Sequence, residues 1–159
     1  MKTAVYPGVF DPITYGHIDV IERASTIFDK IVVVVGKNTK KNTIFTSQER
    51  LEMAQTALKH IENCEVITHD GLTVEIAKEM NAIAIIRGMR AISDFDYEFQ
   101  IALINRKLEP KIHTLFMLPN EKYSYLSSSL VRELASFRQD VTSLVPEFIA
   151  KKLMDKMEK

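Results

Sequence analysis

The sequence predicts an α/β fold: an open, parallel sheet of five strands with helices on both faces. Strand-like and helix-like stretches alternate along all 159 residues, which is the pattern of strands joined by crossover helices. The run KIVVVVG at 30–36 is continuously β-branched, which indicates a strand buried on both faces, as in a parallel sheet. A chain of this length can bury a sizeable core, and one domain covering 1–159 is expected.

Each further element is predicted from a local pattern. Short β-prone runs predict strands at 3–6, 64–69, 82–88 and 113–118. Apolar residues at helical spacing predict helices at 17–28, 72–80, 93–108, 127–137 and 146–157, and one more after the motif TSQE at 46–49, which has the form of a capping box.

The sequence predicts three further details of these helices. Phe95, Phe99 and Ala102 fall on one side of the helix at 93–108. Ser93 or Asp94 is expected to cap its start. Pro146 suits the first turn of the last helix, because its missing N–H is not needed there.

Composition narrows the class of protein. Lys plus Arg and Asp plus Glu both number 21, so the formal net charge is zero and a generally basic nucleic-acid binder is not expected. Cys64 is the single cysteine, which suits a reducing cytosol. The N-terminal residues lack the pattern of a signal peptide, and no apolar run reaches the roughly 18 residues of a membrane span.

Parallel sheets of this kind bind ligands beyond the carboxyl ends of their strands. The loops to inspect are therefore 7–17, 36–46, 69–73, 87–94 and 119–129. They contain Lys40, Lys41, Arg87, Arg90 and a run of serines ahead of a helix. Cations, hydroxyls and helix N-termini on one rim indicate a phosphate-rich ligand.

Plainer interpretations exist for some of these residues. The lysines could form a solvated loop, and the serine run could serve only as an N-cap, although capping requires one hydroxyl. The chain has neither a P-loop motif nor a G-x-G-x-x-G turn after its first strand, so the commonest nucleotide sites are not expected. Zinc-type Cys/His spacing and a G-x-S-x-G elbow are also missing from the sequence, and Asp11 alone is too weak a metal candidate.

Four motifs carry a resemblance to a known family. TYGH at 14–17 is similar to the [HT]-x-G-H motif of the nucleotidyltransferase superfamily, and LSSS at 126–129 to its second signature. Together with YPG-FDP at 6–12 and RGMRAISDFDYE at 87–98, they make the whole chain resemble the bacterial phosphopantetheine adenylyltransferase family.

The resemblance implies a fold, a reaction and partners. The fold would be Rossmann-like. ATP and 4′-phosphopantetheine would give dephospho-coenzyme A and pyrophosphate, with Mg²⁺, in the biosynthesis of coenzyme A. The family is cytoplasmic, usually homohexameric, and often subject to feedback inhibition by coenzyme A.

The resemblance also implies site residues. His17 would stabilise the transition state. Lys41 and Arg87 would bind the acceptor phosphate, and Thr73 would lie along the pantetheine arm. ATP would be bound by Phe10, His17, Gly88, Met89, Arg90, Glu98, Tyr123, Ser124, Tyr125, Leu126, Ser127, Ser128 and Ser129. Val9 stands where the family has Ser or Thr, so a hydroxyl contact to the acceptor or ATP is lost while a backbone contact can remain.

This reaction accounts for the composition of the loop GVFDPITYGH at 8–17. The attacking phosphate is already anionic near neutral pH, since its second pKa is about 6, so alignment and charge neutralisation matter more than a strong base. Gly8 would let the backbone approach a ligand, the prolines would hold the loop, and Gly16 would leave space for the nucleotide. His17 would donate a hydrogen bond to an α-phosphate oxygen as its charge builds.

Two alternatives remain at this stage. One is a sister enzyme, either a nicotinate or nicotinamide mononucleotide adenylyltransferase or a cytidylyltransferase, which would share T-x-G-H but not the block at 87–98. The other is a non-catalytic nucleotide-binding subunit on the same fold. Retention of His17, Lys41, Arg87 and Arg90 argues against that second alternative, and only Val9 favours it.

Overall fold

Five parallel strands form one sheet in the order β3-β2-β1-β4-β5 in the computed structural model of the chain. The structure describes residues 1–37 and 42–158, apart from the side chain of Ile92. The strands are β1 (Thr3–Gly8), β2 (Lys30–Gly36), β3 (Cys64–His69), β4 (Ala84–Gly88) and β5 (His113–Met117). The predicted α/β class and the open, parallel, five-stranded sheet are confirmed.

Each strand is followed by a helix, and a second helix comes after the last strand. The helices are α1 (Tyr15–Ser25), α2 (Ser47–Leu58), α3 (Thr73–Glu79), α4 (Ile92–Leu108), α5 (Ser128–Ser136) and α6 (Glu147–Met157), with a 3₁₀ turn at Glu121–Tyr123 before α5. Among the described residues, none of these helices is both long and apolar enough to cross a membrane.

The two faces of the sheet carry separate cores because side chains alternate along each strand. Ala4 and Tyr6 of β1 point to the core shared with α1, α2, α5 and α6. Val5 points to the other face, where it packs with residues of α3. Val5 is paired with Val32 of β2 and Ile85 of β4, so neighbouring strands present matching apolar residues. Helices therefore cover both faces, as predicted.

Most element boundaries lie within two residues of the predicted ones. β1 continues through Pro7 to Gly8, which pairs with Val35. The capping box before α2 is confirmed: Thr46 Oγ1 accepts from the Glu49 N–H at 3.2 Å, and Glu49 Oε2 accepts from the Thr46 N–H at 2.8 Å. The predicted helix at 17–28 lies instead at 15–25, because Thr14 provides its N-cap.

The predicted cap of α4 is wrong. The helix begins at Ile92, and its N-cap is Ala91, which provides no side-chain hydrogen bond. Ser93 and Asp94 already lie inside the first turn, where Asp94 accepts from the Arg90 N–H at 3.4 Å. Helix α6 begins one residue later than predicted, so Pro146 is its N-cap and not a residue of its first turn.

Helix α4 leaves much of its apolar surface exposed. Phe95 and Phe99 do share one side, with their rings stacked 5.5 Å apart, yet both are more than 40% exposed. The large apolar side chains exposed on this helix are Phe95, Tyr97, Phe99, Leu103, Ile104 and Leu108. We call this set the α4 patch.

Candidate active site

A cavity of about 280 Å³ opens beyond the carboxyl ends of β1 and β4. Four of the five predicted loops line it, and the loop at 69–73 does not. Its walls are Tyr6, Pro7, Gly8, Val9, Phe10, Asp11, Thr14, Gly16, His17, Val20, Asn42, Thr43, Arg87, Gly88, Arg90, Pro119, Tyr123, Leu126, Ser127, Ser128, Ser129 and Arg132.

Two buried charged residues fix the loop after β1. The carboxylate of Asp11 accepts from the N–H groups of Ile44 and Phe45 at 2.9 and 3.0 Å. The guanidinium of Arg50 donates to the carbonyl of Val9 at 2.6 Å, and also to the carbonyls of Gly36 and Phe45. Because both side chains are 2% exposed, these bonds tie the first two loops together away from water.

Gly8 is required by a neighbouring ring. A Cβ atom at this position would lie 2.7 Å from the ring of Phe10, which is closer than carbon atoms approach. Phe10 itself has a φ of 51°, in the left-handed region. The glycine therefore makes room for Phe10 as well as lining the cavity. At Gly16 a Cβ would meet only ordinary contacts, the nearest being Thr14 Oγ1 at 3.5 Å.

His17 is held as a neutral ring with its proton on Nε2. Its Nδ1 lies 3.0 Å from the backbone nitrogen of Thr14, and since a backbone N–H only donates, Nδ1 must accept. The Thr14 hydroxyl in turn accepts from the His17 N–H at 3.4 Å, completing a capping box in which histidine occupies the third helical position. Burial, with a smaller effect from Arg90, lowers the pKa of His17 to about 4.

The result is a fixed hydrogen-bond donor in the cavity wall. The edge-to-face contact with Phe10, with 5.1 Å between ring centroids, further restricts the imidazole. Capping and lining the cavity are thus two roles of one side chain: Nδ1 serves the helix, and Nε2–H is left for a ligand.

Three arginines place positive charge around the cavity. Arg87 forms two bonds to Glu98, Nε to Oε2 at 2.7 Å and Nη2 to Oε1 at 2.8 Å. Arg90 donates to the carbonyl of Leu126 at 2.9 Å. Arg132 donates to the carbonyl of Asp11 at 2.7 Å. Each arginine is thereby oriented by a bond to a neighbouring loop or helix.

The three serines before and within α5 have three different partners. Ser127 is the N-cap and accepts from the Leu130 N–H at 3.1 Å. Ser128 donates to the carbonyl of Pro12 at 2.7 Å, and Ser129 accepts from Arg132 at 3.3 Å. The N–H groups of the first helical turn have no partner within the helix, so this end of α5 is suited to an anion.

The structure brings most of the predicted ATP residues together. Those that line the cavity are Val9, Phe10, His17, Gly88, Arg90, Tyr123, Leu126, Ser127, Ser128 and Ser129, together with the acceptor residue Arg87. The predicted residues Thr73, Met89, Glu98, Ser124 and Tyr125 do not line it. Lys41 lies outside the described residues.

The outlying residues have distinct positions. Thr73 begins α3, after the edge strand β3. The N–H of Met89 continues the pairing of β4 by donating to Met117. Glu98 is bonded to Arg87, and Tyr125 is 62% exposed.

Sequence reasoning missed Tyr6, Val20 and Arg132, which line the cavity from outside the predicted loops. Within the predicted loop 36–46 it did not single out Asn42 and Thr43. For Arg132 a signal was present, because it follows Ser129 by three positions and so shares its helix face. The position of Tyr6 follows from the pleat: it alternates with Val5 and points to the same face as Ala4. Burial raises the pKa of Tyr6 well above its usual value, so its hydroxyl stays neutral.

The described residues do not form a cage for a metal ion. Nowhere among them do three His, Cys, Asp or Glu side chains gather. The carboxylate in the cavity wall, Asp11, already accepts two backbone N–H groups, and Glu98 is engaged by Arg87. A Mg²⁺ ion held by protein carboxylates alone therefore does not fit this part of the chain.

Comparison with known proteins agrees with this architecture. A family model described as cytidylyltransferase-like matches residues 5–134. Phosphopantetheine adenylyltransferase of Caldanaerobacter subterraneus subsp. tengcongensis is 51% identical over 159 residues, which is all of this chain and 99% of the relative. The chain belongs to the phosphopantetheine adenylyltransferase family.

Further similarities are consistent with membership of this family. The phosphopantetheine adenylyltransferase of Methylacidiphilum infernorum is 48% identical over 161 residues, covering all of this chain and 93% of that protein. Among solved structures, a putative nicotinate-nucleotide adenylyltransferase from Vibrio parahaemolyticus superposes with a TM-score of 0.72 at 17% identity, over 99% of this chain and 95% of that one. That likeness shows the Rossmann-like fold alone.

Proposed function

We propose that the protein transfers the adenylyl group of ATP to 4′-phosphopantetheine, releasing pyrophosphate and forming dephospho-coenzyme A in the biosynthesis of coenzyme A. Full-length relatives named phosphopantetheine adenylyltransferase support the choice of acceptor. The observation that carries the chemistry is the neutral Nε2–H of His17 in a cavity ringed by Arg87, Arg90 and Arg132.

The reaction is an in-line displacement at the α-phosphorus. An oxygen of the acceptor phosphate forms a bond to that phosphorus as the bond to the bridging oxygen of the β-phosphate breaks. No strong general base is required, because the acceptor phosphate is anionic at neutral pH. The protein supplies alignment and stabilisation of the charge that builds on the non-bridging oxygens.

His17 is suited to the α-phosphate. Its donor is fixed before the reaction by Thr14, so little reorganisation is needed as charge develops. Because the ring is neutral, Nε2–H donates a hydrogen bond and keeps its proton throughout. We assign it as the transition-state stabiliser.

The pyrophosphate end is suited to Arg90, Arg132 and the N-terminus of α5. Arginine can bind phosphate oxygens through two parallel bonds, and Ser129 links Arg132 to the first turn of α5. On the nucleoside side, Tyr123 and Leu126 give the cavity an apolar wall. These positions support the ATP assignment made from the sequence.

The acceptor end is proposed around Arg87. Lys41 would join Arg87 at the acceptor phosphate, Val9 would contribute a backbone contact, and Thr73 would contact the pantetheine arm. Glu98, which the sequence assigns to ATP, is bonded to Arg87, so we propose that it acts by orienting that arginine.

We propose Mg²⁺ as the cofactor, bound to the triphosphate of ATP. Mg²⁺ commonly binds substrate phosphates and water with few protein ligands, which accords with the engaged carboxylates of this cavity.

The remaining expectations concern the whole protein. We propose a cytoplasmic homohexamer that acts on neither nucleic acid nor membranes, with coenzyme A as a feedback inhibitor, since coenzyme A contains both the pantetheine and the adenylyl parts. The exposed α4 patch supports self-association, because large apolar patches on a surface usually mark an interface.

An acceptor panel tests the proposed reaction. Purified protein is given ATP and Mg²⁺ with phosphopantetheine, pantetheine, nicotinate mononucleotide or nicotinamide mononucleotide, and pyrophosphate release is followed. A parallel arm pairs CTP with choline phosphate and glycerol 3-phosphate. We expect pyrophosphate release with phosphopantetheine and with none of the other acceptors. Faster release with a mononucleotide or in the CTP arm would identify a sister enzyme, and no release with any pair would favour a non-catalytic subunit.

A further inference from the structure

We propose that Asp19 is a positioning residue that holds the wall containing Tyr123 and Leu126 against α1, and thereby sets the affinity for ATP. The inference rests on the proposed function. Asp19 lies on α1 two residues after His17, and its Oδ2 accepts from the backbone N–H of Asn120 at 2.7 Å. This bond joins positions 101 residues apart in the chain.

Asn120 directly precedes the 3₁₀ turn that leads to Tyr123 and Leu126. Its side chain caps the 3₁₀ turn by accepting from the Lys122 N–H at 3.2 Å. Tyr123 ends that turn and stacks on Tyr15 of α1, with ring centroids 6.2 Å apart and planes at 24°. Asp19 therefore ties down the start of the segment, and the ring stack holds its middle.

Asp19 acts from behind the wall. It lines a second cavity, outside the first, that also includes Tyr15 and Tyr123. Tyr123 lines both cavities, so this residue lies between the proposed nucleotide space and a second space beside α1. Without the bond from Asn120 to Asp19, the segment that contains Tyr123 and Leu126 could move into the second cavity. The nucleotide would then lose a fixed surface to pack against.

The other partner of Asp19 offers a matched control. Arg23 donates to Asp19 at 3.0 Å, but its side chain is half exposed. Exposed i,i+4 pairs contribute little stability, and Arg23 contacts neither Asn120 nor Tyr123 by any bond in the described structure. Removing Arg23 takes away an ion pair and leaves the bond to Asn120 in place.

The experiment compares Asp19→Ala, Asp19→Asn and Arg23→Ala with the wild type. For Asp19→Ala, the KM for ATP and the calorimetric Kd of ATP should rise about tenfold, the lower end for losing a hydrogen bond to a charged group. The KM for phosphopantetheine should change less than about twofold on the same scale. Asp19→Asn should recover most of the ATP affinity, because the amide oxygen still accepts from Asn120. Arg23→Ala should match the wild type.

A second pair of variants isolates the donor itself. Asn120 has a φ of −54°, which proline adopts, so Asn120→Pro deletes the N–H at a compatible backbone angle. Asn120→Ala removes the same side-chain cap but keeps the N–H. The Kd of ATP should be higher for Asn120→Pro than for Asn120→Ala by the factor expected for Asp19→Ala. This comparison remains available if Asp19→Ala itself folds poorly.

Several outcomes would overturn the inference. One is a lower melting temperature for Asp19→Ala with unchanged ATP affinity, which would leave Asp19 a purely structural role. Another is an equal rise in the KM of both substrates, and a third is equal ATP binding by the two Asn120 variants. Failure of the wild-type protein to bind ATP would overturn the proposed function itself. Calorimetry of the wild type alone reveals that outcome, so it is distinguishable from failure of the inference about Asp19.

Discussion

Arg87 and Glu98 form a two-bond ion pair at the end of β4, with N···O distances of 2.7 and 2.8 Å. Glu98 is 8% exposed, so the pair is largely shielded from water. Burial has the largest single effect on the pKa of Arg87 and lowers it, but the hydrogen bond and the charge of Glu98, with smaller contributions from Tyr6 and Tyr97, together raise this pKa. Arg87 therefore stays charged, and one edge of its guanidinium is fixed while the other remains available to an anion.

The first prediction separates the two substrates. Arg87→Ala should raise the KM for phosphopantetheine about tenfold or more, the range for a hydrogen bond to a charged group, and raise that for ATP much less. Pantetheine, which lacks the phosphate, should not react. An unchanged acceptor KM, or equal turnover of pantetheine, would reject the assignment of Arg87.

Glu98 provides the companion measurement. If it orients Arg87, Glu98→Gln should raise the acceptor KM in the same direction as Arg87→Ala, because a neutral amide holds the guanidinium less firmly. A rise confined to the KM for ATP would instead support the direct role at ATP that the sequence indicates. Both constants come from the same steady-state assay.

The second prediction concerns Val9, whose carbonyl is bound by Arg50. Val9→Thr keeps that carbonyl and adds a hydroxyl at the cavity wall. Binding of the acceptor or ATP should improve by about 0.5–1.5 kcal/mol, the net value of one hydrogen bond. Calorimetry measures both affinities. If neither changes, or activity falls, the loop is packed around valine and the hydroxyl has no partner.

The third prediction follows from the low pKa of His17. In the folded protein this pKa is about 4, against an ordinary value of 6.5, so between these values the unfolded chain binds a proton that the folded one does not. Stability should therefore fall as pH is lowered from 6.5 towards 4.

Two measurements check this shift. Proton NMR should show the ring of His17 titrating near pH 4 in the wild type. In His17→Gln, the pH dependence of the free energy of unfolding over that interval should be weaker. An NMR titration near 6.5, with the same slope in both proteins, would contradict a neutral ring at His17.

The fourth prediction concerns the α4 patch. If copies of this chain cover it, Ile104→Glu should reduce the molar mass in solution, measured by light scattering, from about six chains to fewer. Lys151→Glu, a charge change at an exposed position of α6, serves as the control and should leave the mass unchanged. A wild-type monomer would refute the homohexamer.

Local sequence patterns predicted the strands and helices well because the interactions that favour each element are between residues close in sequence. The β-branched run at 30–36 is β2, with the same boundaries, and the capping box at Thr46 needs only neighbours in sequence. The cap of α4 was misplaced because Ser93 and Asp94 are both acceptable caps by residue type. Arg90 competes for Asp94, and that competition is visible only in the folded loop.

The site residues likewise fall into those that local motifs predict and those that only the fold brings together. T-x-G-H and the serine run locate His17 and the start of α5 from short motifs. Spacing cannot reveal the bond from Arg132 to Asp11 or from Asn120 to Asp19, because each joins residues more than 100 positions apart. Helical periodicity also predicts apolar residues on α4. It does not tell whether those residues are buried in the core or exposed to solvent.

The most direct test of the account is the turnover of His17→Ala beside its ATP affinity. If Nε2–H acts on charge that develops at the α-phosphate, its contact strengthens only in the transition state. We expect kcat to fall by roughly 10²–10³-fold, the range for losing one such donor, while calorimetry shows ATP binding little changed. A variant that melts earlier, yet turns over near the wild-type rate per folded molecule, would contradict the catalytic role and leave His17 only its part in the capping box of α1.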